Sequence, residues 1–324
     1  MAVVAVTAAR GGHSGRALAL AEELVRHGVE VVAVIAEGDE WTRARFQGHR
    51  VVEVPLLRTP TDSRLAAALR APRALMVSLR RLPKGLCALV SLGSNLSIAP
   101  AVTAKLRGAR LYVVEDIVRF VAPSATARLL APIADRVVLQ WEEQRKLHSQ
   151  GVVYGPFYPR PRYPPRDGGY VLIATGTLGY PGLVEAAARL PYDHVVVQTG
   201  RLVDPEKLPR RPGLTVFRFD PDFHRWLAGA RVVVTHLGHT AVEAALTYGK
   251  PVVIVYNPML GRTAGLKPGD AEAFAMKLNA ILIEGEPTVE ELARAIEEAG
   301  KRRPPQYPNG AEKLAEELAG LCQG

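Results

Sequence analysis

The chain has few of the residue types that mark a disulfide-rich, metal-binding or membrane-spanning protein. Only two of its 324 residues are cysteines, Cys87 and Cys322, and they lie far apart. We therefore expect neither a disulfide framework nor a cysteine metal site, and a reduced cytosolic setting is the default. No window approaches the about 18 uninterrupted apolar residues of a membrane-spanning helix. The apolar start, residues 1–7, has no basic leader and predicts a first strand rather than a signal peptide.

Aromatic residues are also scarce, at 6% of the chain, and they are not interleaved with the basic residues. This disfavours a platform for single-stranded nucleic acid, where bases stack on aromatic rings. A net charge of +9 and an isoelectric point near 9.7 favour an anionic partner. A phosphorylated substrate and an acidic membrane surface both fit that charge.

Short apolar runs alternate with helical periodicity along the whole chain, which predicts an α/β protein built on parallel sheets. The expected strands lie near residues 3–6, 29–35, 51–54, 86–92, 111–114, 136–140, 170–174, 194–198, 214–217, 232–235 and 251–256. A segment rich in proline and glycine, residues 155–169, interrupts the pattern. We therefore predict two Rossmann-like domains, residues 1–160 and 168–324, facing each other across a cleft. It stays open whether the last helix, around 311–321, packs back on the first domain. Ligands of such sheets bind at the carboxyl ends of the strands.

A glycine-rich segment, Gly-Gly-His-Ser-Gly at residues 11–15, follows the first predicted strand and opens a helix. Glycines allow close backbone approach, and N–H groups at a helix start attract anions. The alternative is a plain strand-to-helix turn without a ligand, because the segment is not a full dinucleotide fingerprint. His13 stands out, since a loop histidine in a cleft can orient a phosphate or accept a proton near neutral pH.

Two carboxylates, Glu115 and Asp116, follow a later strand. Carboxylates at the carboxyl end of a parallel strand face the ligand, and one could act as a general base for a sugar hydroxyl. Asp116 also suits a helix N-cap. We therefore predict Asp116 as the cap and Glu115 as the functional residue.

The segment 235–243, Thr-His-Leu-Gly-His-Thr-Ala-Val-Glu, leaves a strand and enters a helix. Small residues and a hydroxyl at a helix start suit a diphosphate, and Glu243 could accept hydrogen bonds from ribose hydroxyls. Two histidines lie close together, but no third ligand follows in a metal-binding pattern. We therefore expect no metal.

A basic amphipathic stretch, residues 63–83, contains five arginines among Leu, Ala, Met and Val, and Pro72 divides it. An ordinary solvated helix face explains it as well as a surface that lies on anionic lipid or receives a lipid diphosphate. The five arginines are Arg64, Arg70, Arg73, Arg80 and Arg81.

Together, these motifs resemble the two-subunit UDP-N-acetylglucosamine transferase that adds the second sugar to the lipid-linked oligosaccharide of N-glycosylation. Here the two subunits look fused, with the membrane-recruiting subunit first. The first half matches through residues 11–15, 115–119 and 134–141, and the second half through 174–177, 197–200, 235–243 and 249–255. More distantly, the chain resembles the bacterial lipid II-forming transferase.

The resemblance implies a GT-B fold and an inverting, metal-independent transfer of N-acetylglucosamine from UDP-GlcNAc to a dolichol-type lipid-diphosphate GlcNAc. It implies no cofactor, and attachment to the cytoplasmic face of the membrane through 63–83. His13 and Glu115 become the candidates for the catalytic base. The acceptor or phosphate side would comprise Gly11, Gly12, Ser14, Gly15 and Arg119. The donor side would comprise Thr175, Gly176, Thr177, Gln198, Gly200, His236, Gly238, His239, Thr240, Glu243, Asp270 and Glu272.

The chain departs from the family pattern in three places. The donor motif is one residue short at residues 238–240. The family's His-Gln pair is missing, and Asp270 and Glu272 stand near its place. The spanning anchor of the eukaryotic partner is absent. Two other functions stay open: a UDP-sugar epimerase or hydrolase of related fold, and a non-catalytic subunit that recruits a partner to the membrane.

Overall fold

The computed structural model describes residues 2–59, 62, 64–258 and 265–323. The chain divides into two compact units: Met1–Pro159 together with Pro308–Gly324, and Arg160–Tyr307. The segment 308–324, which the sequence division assigns to the second domain, therefore belongs to the first unit.

The first unit contains a seven-stranded sheet whose strands follow the order β3-β2-β1-β4-β5-β6-β7, all parallel. Valine-rich strands buried on both faces are typical of such a sheet. Its strands are β1 (Val3–Thr7), β2 (Glu30–Ala36), β3 (Arg50–Val54), β4 (Ala88–Ser91), β5 (Arg110–Val114), β6 (Arg136–Leu139) and β7 (Val152–Val153). Its helices are α1 (Gly12–Arg26), α2 (Glu40–Arg45), α3 (Arg64–Arg81), α4 (Ile98–Leu106), α5 (Ala125–Leu130) and, at the end of the chain, α11 (Gly310–Gln323).

The second unit repeats the architecture with six parallel strands in the order β10-β9-β8-β11-β12-β13. Its strands are β8 (Tyr170–Ala174), β9 (Val195–Gln198), β10 (Leu214–Phe217), β11 (Ala230–His236), β12 (Val252–Tyr256) and β13 (Ile281–Glu284). Its helices are α6 (Pro181–Ala188), α7 (Phe223–Gly229), α8 (His239–Val242), α9 (Pro268–Lys277) and α10 (Val289–Gly300). The predicted α/β class with two parallel sheets is confirmed.

The last helix, α11, covers the first sheet next to α1. Its apolar face is buried in the same core as Leu20 and Leu24 of α1. Glu317, on another face, accepts hydrogen bonds from the Tyr112 hydroxyl at 2.9 Å and the Arg136 guanidinium at 2.8 Å. The return of α11 thus completes the core of the first unit.

The two cysteines form a disulfide, so the expectation of a chain without disulfides is wrong. Cys87 precedes β4, Cys322 lies near the end of α11, and their Cα atoms are 5.7 Å apart. That separation is ordinary for a disulfide. The pairing joins residues 235 positions apart, and it depends on the return of the last helix, which spacing in the sequence does not reveal.

The basic stretch forms one helix, α3, which continues through Pro72. The prediction that Pro72 divides it is therefore wrong, although a proline removes one backbone hydrogen bond inside a helix. Ser63 and the side chain of Arg64 lie outside the described residues. Among the residues that the structure describes, no helix is long and apolar enough to cross a membrane.

Candidate functional site

Three neighbouring strands of the first sheet, β1, β4 and β5, end at the same edge. His13 lies in the first turn of α1, which follows β1, and the loops after β4 and β5 carry Gly93 and Asp116. Because the carboxyl ends of parallel strands meet at one edge, residues about 80 and 100 positions apart become neighbours. This arrangement defines the candidate site of the first unit.

The imidazole of His13 lies against the backbone that follows β4. Its Nδ1 is 2.8 Å from the carbonyl oxygen of Leu92. Gly93 has φ +93°, and a Cβ added there would lie 2.8 Å from His13 Cε1. Only glycine therefore allows the ring its present position. The side chain is 28% exposed, so one part of the ring stays accessible to a ligand.

An ion pair lies beside this ring. Arg16, with a side chain only 3% exposed, donates to both carboxylate oxygens of Asp116 at 2.9 and 3.0 Å. A terminal nitrogen of Arg16 is 2.7 Å from His13 Nδ1, and Asp116 Oδ2 is 4.0 Å from it. The pair therefore brings one positive and one negative charge next to the imidazole.

These charges and the burial of the site shift two pKa values. Burial lowers the pKa of His13 below its ordinary 6.5, the Arg16 charge lowers it further, and the Asp116 carboxylate opposes the shift. Burial alone would raise the pKa of Asp116, but the neighbouring Arg16, His13 and Arg119 outweigh it, and the pKa lies well below the ordinary range. The neutral imidazole and the ionised carboxylate are thus both favoured.

The contacts of Glu115 and Asp116 differ from the roles that the sequence suggested for them. Glu115 is fully buried, and its carboxylate accepts hydrogen bonds from the N–H groups of Asp116 and Ser124 and lies 2.7 Å from His148 Nε2. Ser124, not Asp116, caps α5 by accepting from the N–H of Ala127. The contacts of Glu115 hold the loop between β5 and α5 in place and leave it poorly suited to take a proton from a substrate.

Residues 140–144 overlap the end of the segment 134–141, which is one of the segments that carry the resemblance. Their side chains hold the same loop in place. Gln140 Nε2 donates to the carbonyl of Glu115 at 2.8 Å, and Trp141 Nε1 donates to the carbonyl of Ile117 at 2.7 Å. Gln144 Nε2 donates to the carbonyl oxygens of Asp116 and Arg119. All three side chains are buried, so this segment positions the loop rather than a ligand.

The glycine-rich segment forms the start of α1. Gly11 has φ +88°, and Gly12 is the first helical residue. The buried Ser14 donates its hydroxyl to the carbonyl of Gly11 at 2.7 Å and accepts from Arg45 at 3.1 Å. Gly15 is buried one residue later. Of this predicted acceptor set, Ser14 is therefore engaged within the protein.

In the second unit, the loop after β8 lies against the end of β11. Gly176 has φ +71°, and a Cβ there would overlap with His236 Cε1. Gln198 Nε2 donates to the carbonyl of Gly176 at 3.1 Å, and Thr175 donates its hydroxyl to the carbonyl of Gln198 at 2.8 Å. Burial lowers the pKa of His236, which favours the neutral ring. Four of the predicted donor-side residues therefore lie in contact at this edge of the second sheet.

The remaining donor candidates fall into three places. His239 begins α8 after Gly238, and its Nε2 lies 3.5 Å from the Glu243 carboxylate, both side chains being buried. Thr240 is half-buried on the same turn. The helix continues from Glu243 as a π-helical turn, a feature often found at functional sites. The carbonyl oxygen of Thr177 accepts a hydrogen bond from the N–H of Arg201, the residue after Gly200.

Asp270 and Glu272 differ in their surroundings. The Asp270 side chain is buried and accepts from the backbone N–H of Lys267 at 2.9 Å at the start of α9. Glu272 is exposed on the same helix. Asp270 thus stabilises a helix start, and the suggestion that it replaces a missing sugar ligand gains no support from its contacts.

Sequence reasoning missed Arg16 and Gly93. The signal for Gly93 was present, because Leu92-Gly93-Ser94 follows a predicted strand, and Ser94 also has a positive φ of 66°. Arg16 lies one residue beyond the glycine-rich segment, but its partner is 100 residues away. Within the described ranges, no three His, Cys, Asp or Glu residues gather as a metal site would require, and metal independence stays a prediction.

Comparison with solved structures shows the architecture of the whole chain. MurG from Acinetobacter baumannii matches with a TM-score of 0.68 and 19% identity over 99% of this chain and 100% of the other. UGT89C1 from Arabidopsis thaliana, solved with UDP, matches with a TM-score of 0.65 and 14% identity over 99% of both chains. Alr3699/HepE from Anabaena, solved with UDP-glucose, matches with a TM-score of 0.57 and 13% identity over 100% of this chain and 98% of the other. The fold is GT-B.

A family model matches the second half of the chain. Residues 171–322 match the glycosyltransferase family 28 C-terminal domain. No curated protein matches the sequence at a significant level. The family match and the GT-B fold together support a glycosyltransferase.

Proposed function

We propose that the protein transfers N-acetylglucosamine from UDP-GlcNAc to a lipid-linked diphosphate sugar, with inversion at the anomeric carbon. The observation that carries this proposal is the match of residues 171–322 to a glycosyltransferase domain within a GT-B chain. The motifs at 11–15 and 134–141 favour the lipid-linked oligosaccharide transferase within that fold.

His13 is the proposed catalytic base. It is accessible, whereas Glu115 is fully buried and hydrogen-bonded on both oxygens. Its lowered pKa keeps the imidazole neutral near pH 7, so that it can accept a proton from the acceptor hydroxyl. Asp116, 4.0 Å away, stabilises the imidazolium that forms. The attacking oxygen then displaces UDP from the opposite face of the sugar.

The second unit is the proposed donor domain. UGT89C1 was solved with UDP and Alr3699/HepE with UDP-glucose, which supports a uridine nucleotide here. The edge formed by Gly176, Gln198 and His236 is the proposed place for the sugar nucleotide. Nearby backbone N–H groups would stabilise the charge that develops on the leaving diphosphate. Neither a metal nor a cofactor is part of the proposal.

Attachment to the cytoplasmic face of the membrane is proposed through α3. Four large apolar side chains, spaced 4, 7 and 3 residues apart, lie exposed on one face of this helix. Three arginines are already paired with acidic residues, Arg70 with Asp62 and both Arg73 and Arg81 with Glu37. Apolar insertion, more than net charge, therefore supports the binding. The apolar residues are Leu65, Leu69, Met76 and Leu79.

Sedimentation with vesicles that contain anionic lipid tests the membrane proposal. Replacing Leu69, 75% exposed, with Asp should lower the bound fraction, since the side chain would no longer enter the acyl region. Leu106→Asp is a control of similar exposure, 69%, on α4. Equal binding of the wild type and both variants contradicts the role of α3.

Incubation with a panel of UDP-sugars and a synthetic lipid-diphosphate GlcNAc, followed by mass spectrometry, tests the reaction. The proposal expects a lipid longer by one N-acetylhexosamine only with UDP-GlcNAc. Release of free sugar or an epimer would instead indicate the hydrolase or epimerase. Titration with UDP by calorimetry separates both enzymes from a recruiting subunit, which should bind no nucleotide.

A further inference from the structure

Two buried hydroxyls lie behind the backbone that contacts His13. Thr7 is the last residue of β1, and Ser97 precedes α4; both are almost completely buried. Their oxygens are 2.7 Å apart. Neither residue belongs to the motifs discussed above.

The hydrogen bonds of this hydroxyl pair have one consistent direction. The N–H of Leu92 donates to Thr7 Oγ1 at 3.0 Å, and Ser97 Oγ donates to the carbonyl of Gly93 at 2.6 Å. Because each hydroxyl has only one proton, Thr7 must donate to Ser97. Both hydroxyls therefore have their hydrogen bonds, and the peptide groups on both sides of the Leu92 carbonyl are fixed.

That carbonyl lies at hydrogen-bond distance from one imidazole nitrogen of His13. Nδ1 lies 2.8 Å from the Leu92 oxygen and 2.7 Å from an Arg16 nitrogen. The carbonyl only accepts and the guanidinium only donates, so Nδ1 cannot bond to both. Arg16 already has a two-fold partner in Asp116, whereas the carbonyl is held in place by the hydroxyl pair.

We propose that the Thr7–Ser97 hydroxyl pair sets the tautomer of His13, placing the proton on Nδ1 and leaving Nε2 as the nitrogen that accepts a proton. Thr7 and Ser97 are thus positioning residues for the base. This inference rests on the proposed role of His13 in transfer. It adds that two buried residues, which do not contact the substrate, determine which ring nitrogen accepts the proton.

The charged groups that face the imidazole come from two elements. Arg16 lies on α1, and Asp116 and Arg119 lie in the loop after β5. These charges act on the protonation equilibrium, whereas the Leu92 carbonyl distinguishes the two nitrogens of the neutral ring. The tautomer of the neutral ring and the pKa of His13 are therefore separate properties, and only the tautomer tests the effect of the hydroxyl pair.

Nitrogen-15 NMR of histidine-labelled protein at a pH above the His13 transition tests the inference without any substrate. The His13 signals are assigned by their loss in His13→Gln. A neutral His13 protonated on Nδ1 supports the proposal, and one protonated on Nε2 overturns it. This result does not depend on whether sugar transfer is the reaction, so failure of the proposed function would not mask it.

Thr7→Val and Thr7→Ser are a matched pair of variants. Valine keeps the shape and removes the hydroxyl, and serine keeps the hydroxyl. We expect Thr7→Val to populate the Nε2–H tautomer and to lower kcat by about 10- to 100-fold with little change in KM, because small displacements of a catalytic group are costly. Thr7→Ser should restore both values. Ser97→Ala repeats the test should Thr7→Val fail to fold, and an unchanged tautomer in the folded variants overturns the inference whatever the activity.

Discussion

Replacing Gly93 with Ala is the sharpest structural perturbation of the proposed base. The new Cβ would lie 2.8 Å from His13 Cε1, so the ring must move by about 0.6 Å or more to reach ordinary van der Waals contact. The φ of +93° adds about 1–2 kcal/mol of backbone strain. A shift of this size in a catalytic group predicts a loss in kcat of about 10- to 100-fold.

Gly85→Ala is the matched control. Gly85 also has a positive φ, +76°, but a Cβ there would meet no atom within 4 Å. Both variants should therefore lose about 1–2 kcal/mol of stability in urea unfolding, and only Gly93→Ala should lose turnover in a steady-state transfer assay. Equal activity of the two variants would refute the argument that Gly93 positions His13.

Three further predictions follow from the site and the core. Because burial lowers the pKa of His13, the base stays neutral as the pH falls through 6.5, and the acid limb of kcat/KM should lie below pH 6.5; a midpoint above that value contradicts the assignment. Glu115→Gln should lower stability by about 2 kcal/mol, since it disrupts buried charge-assisted hydrogen bonds, while the folded fraction keeps its kcat; thermal unfolding and a transfer assay check both. Cys87→Ser opens a loop closed by residues 235 apart, which by loop entropy costs up to about 5 kcal/mol; an unfolding free energy equal to that of the wild type contradicts a stabilising disulfide.

The fold was predictable because its signal is local. Each buried parallel strand is a short valine-rich run, and the runs predicted β1, β2 and β12 close to their observed ends. The two strands that escaped prediction are edge strands without a fully buried run, β7 and β13. The short β7 offers only two residues, whereas β13 contains the apolar run 281–283, which the same pattern could have identified.

The site was only partly predictable because its contacts are not local. His13 was identified from its glycine-rich surroundings. Which of the neighbours Glu115 and Asp116 enters the core depends on partners far along the chain, His148 for the first and Arg16 for the second. The disulfide likewise depends on where the last helix returns. Such pairs depend on the topology of the sheet, and that topology cannot be read directly from the order of the residues.

The central claim is transfer of N-acetylglucosamine to a lipid-linked acceptor with His13 as the base. Mass spectrometry of a lipid-diphosphate GlcNAc incubated with UDP-GlcNAc tests it most directly, with the wild type beside His13→Ala. The account predicts a product longer by one N-acetylhexosamine with the wild type and almost none with the folded variant. An unextended lipid with the wild type, or equal extension by both proteins, would contradict it.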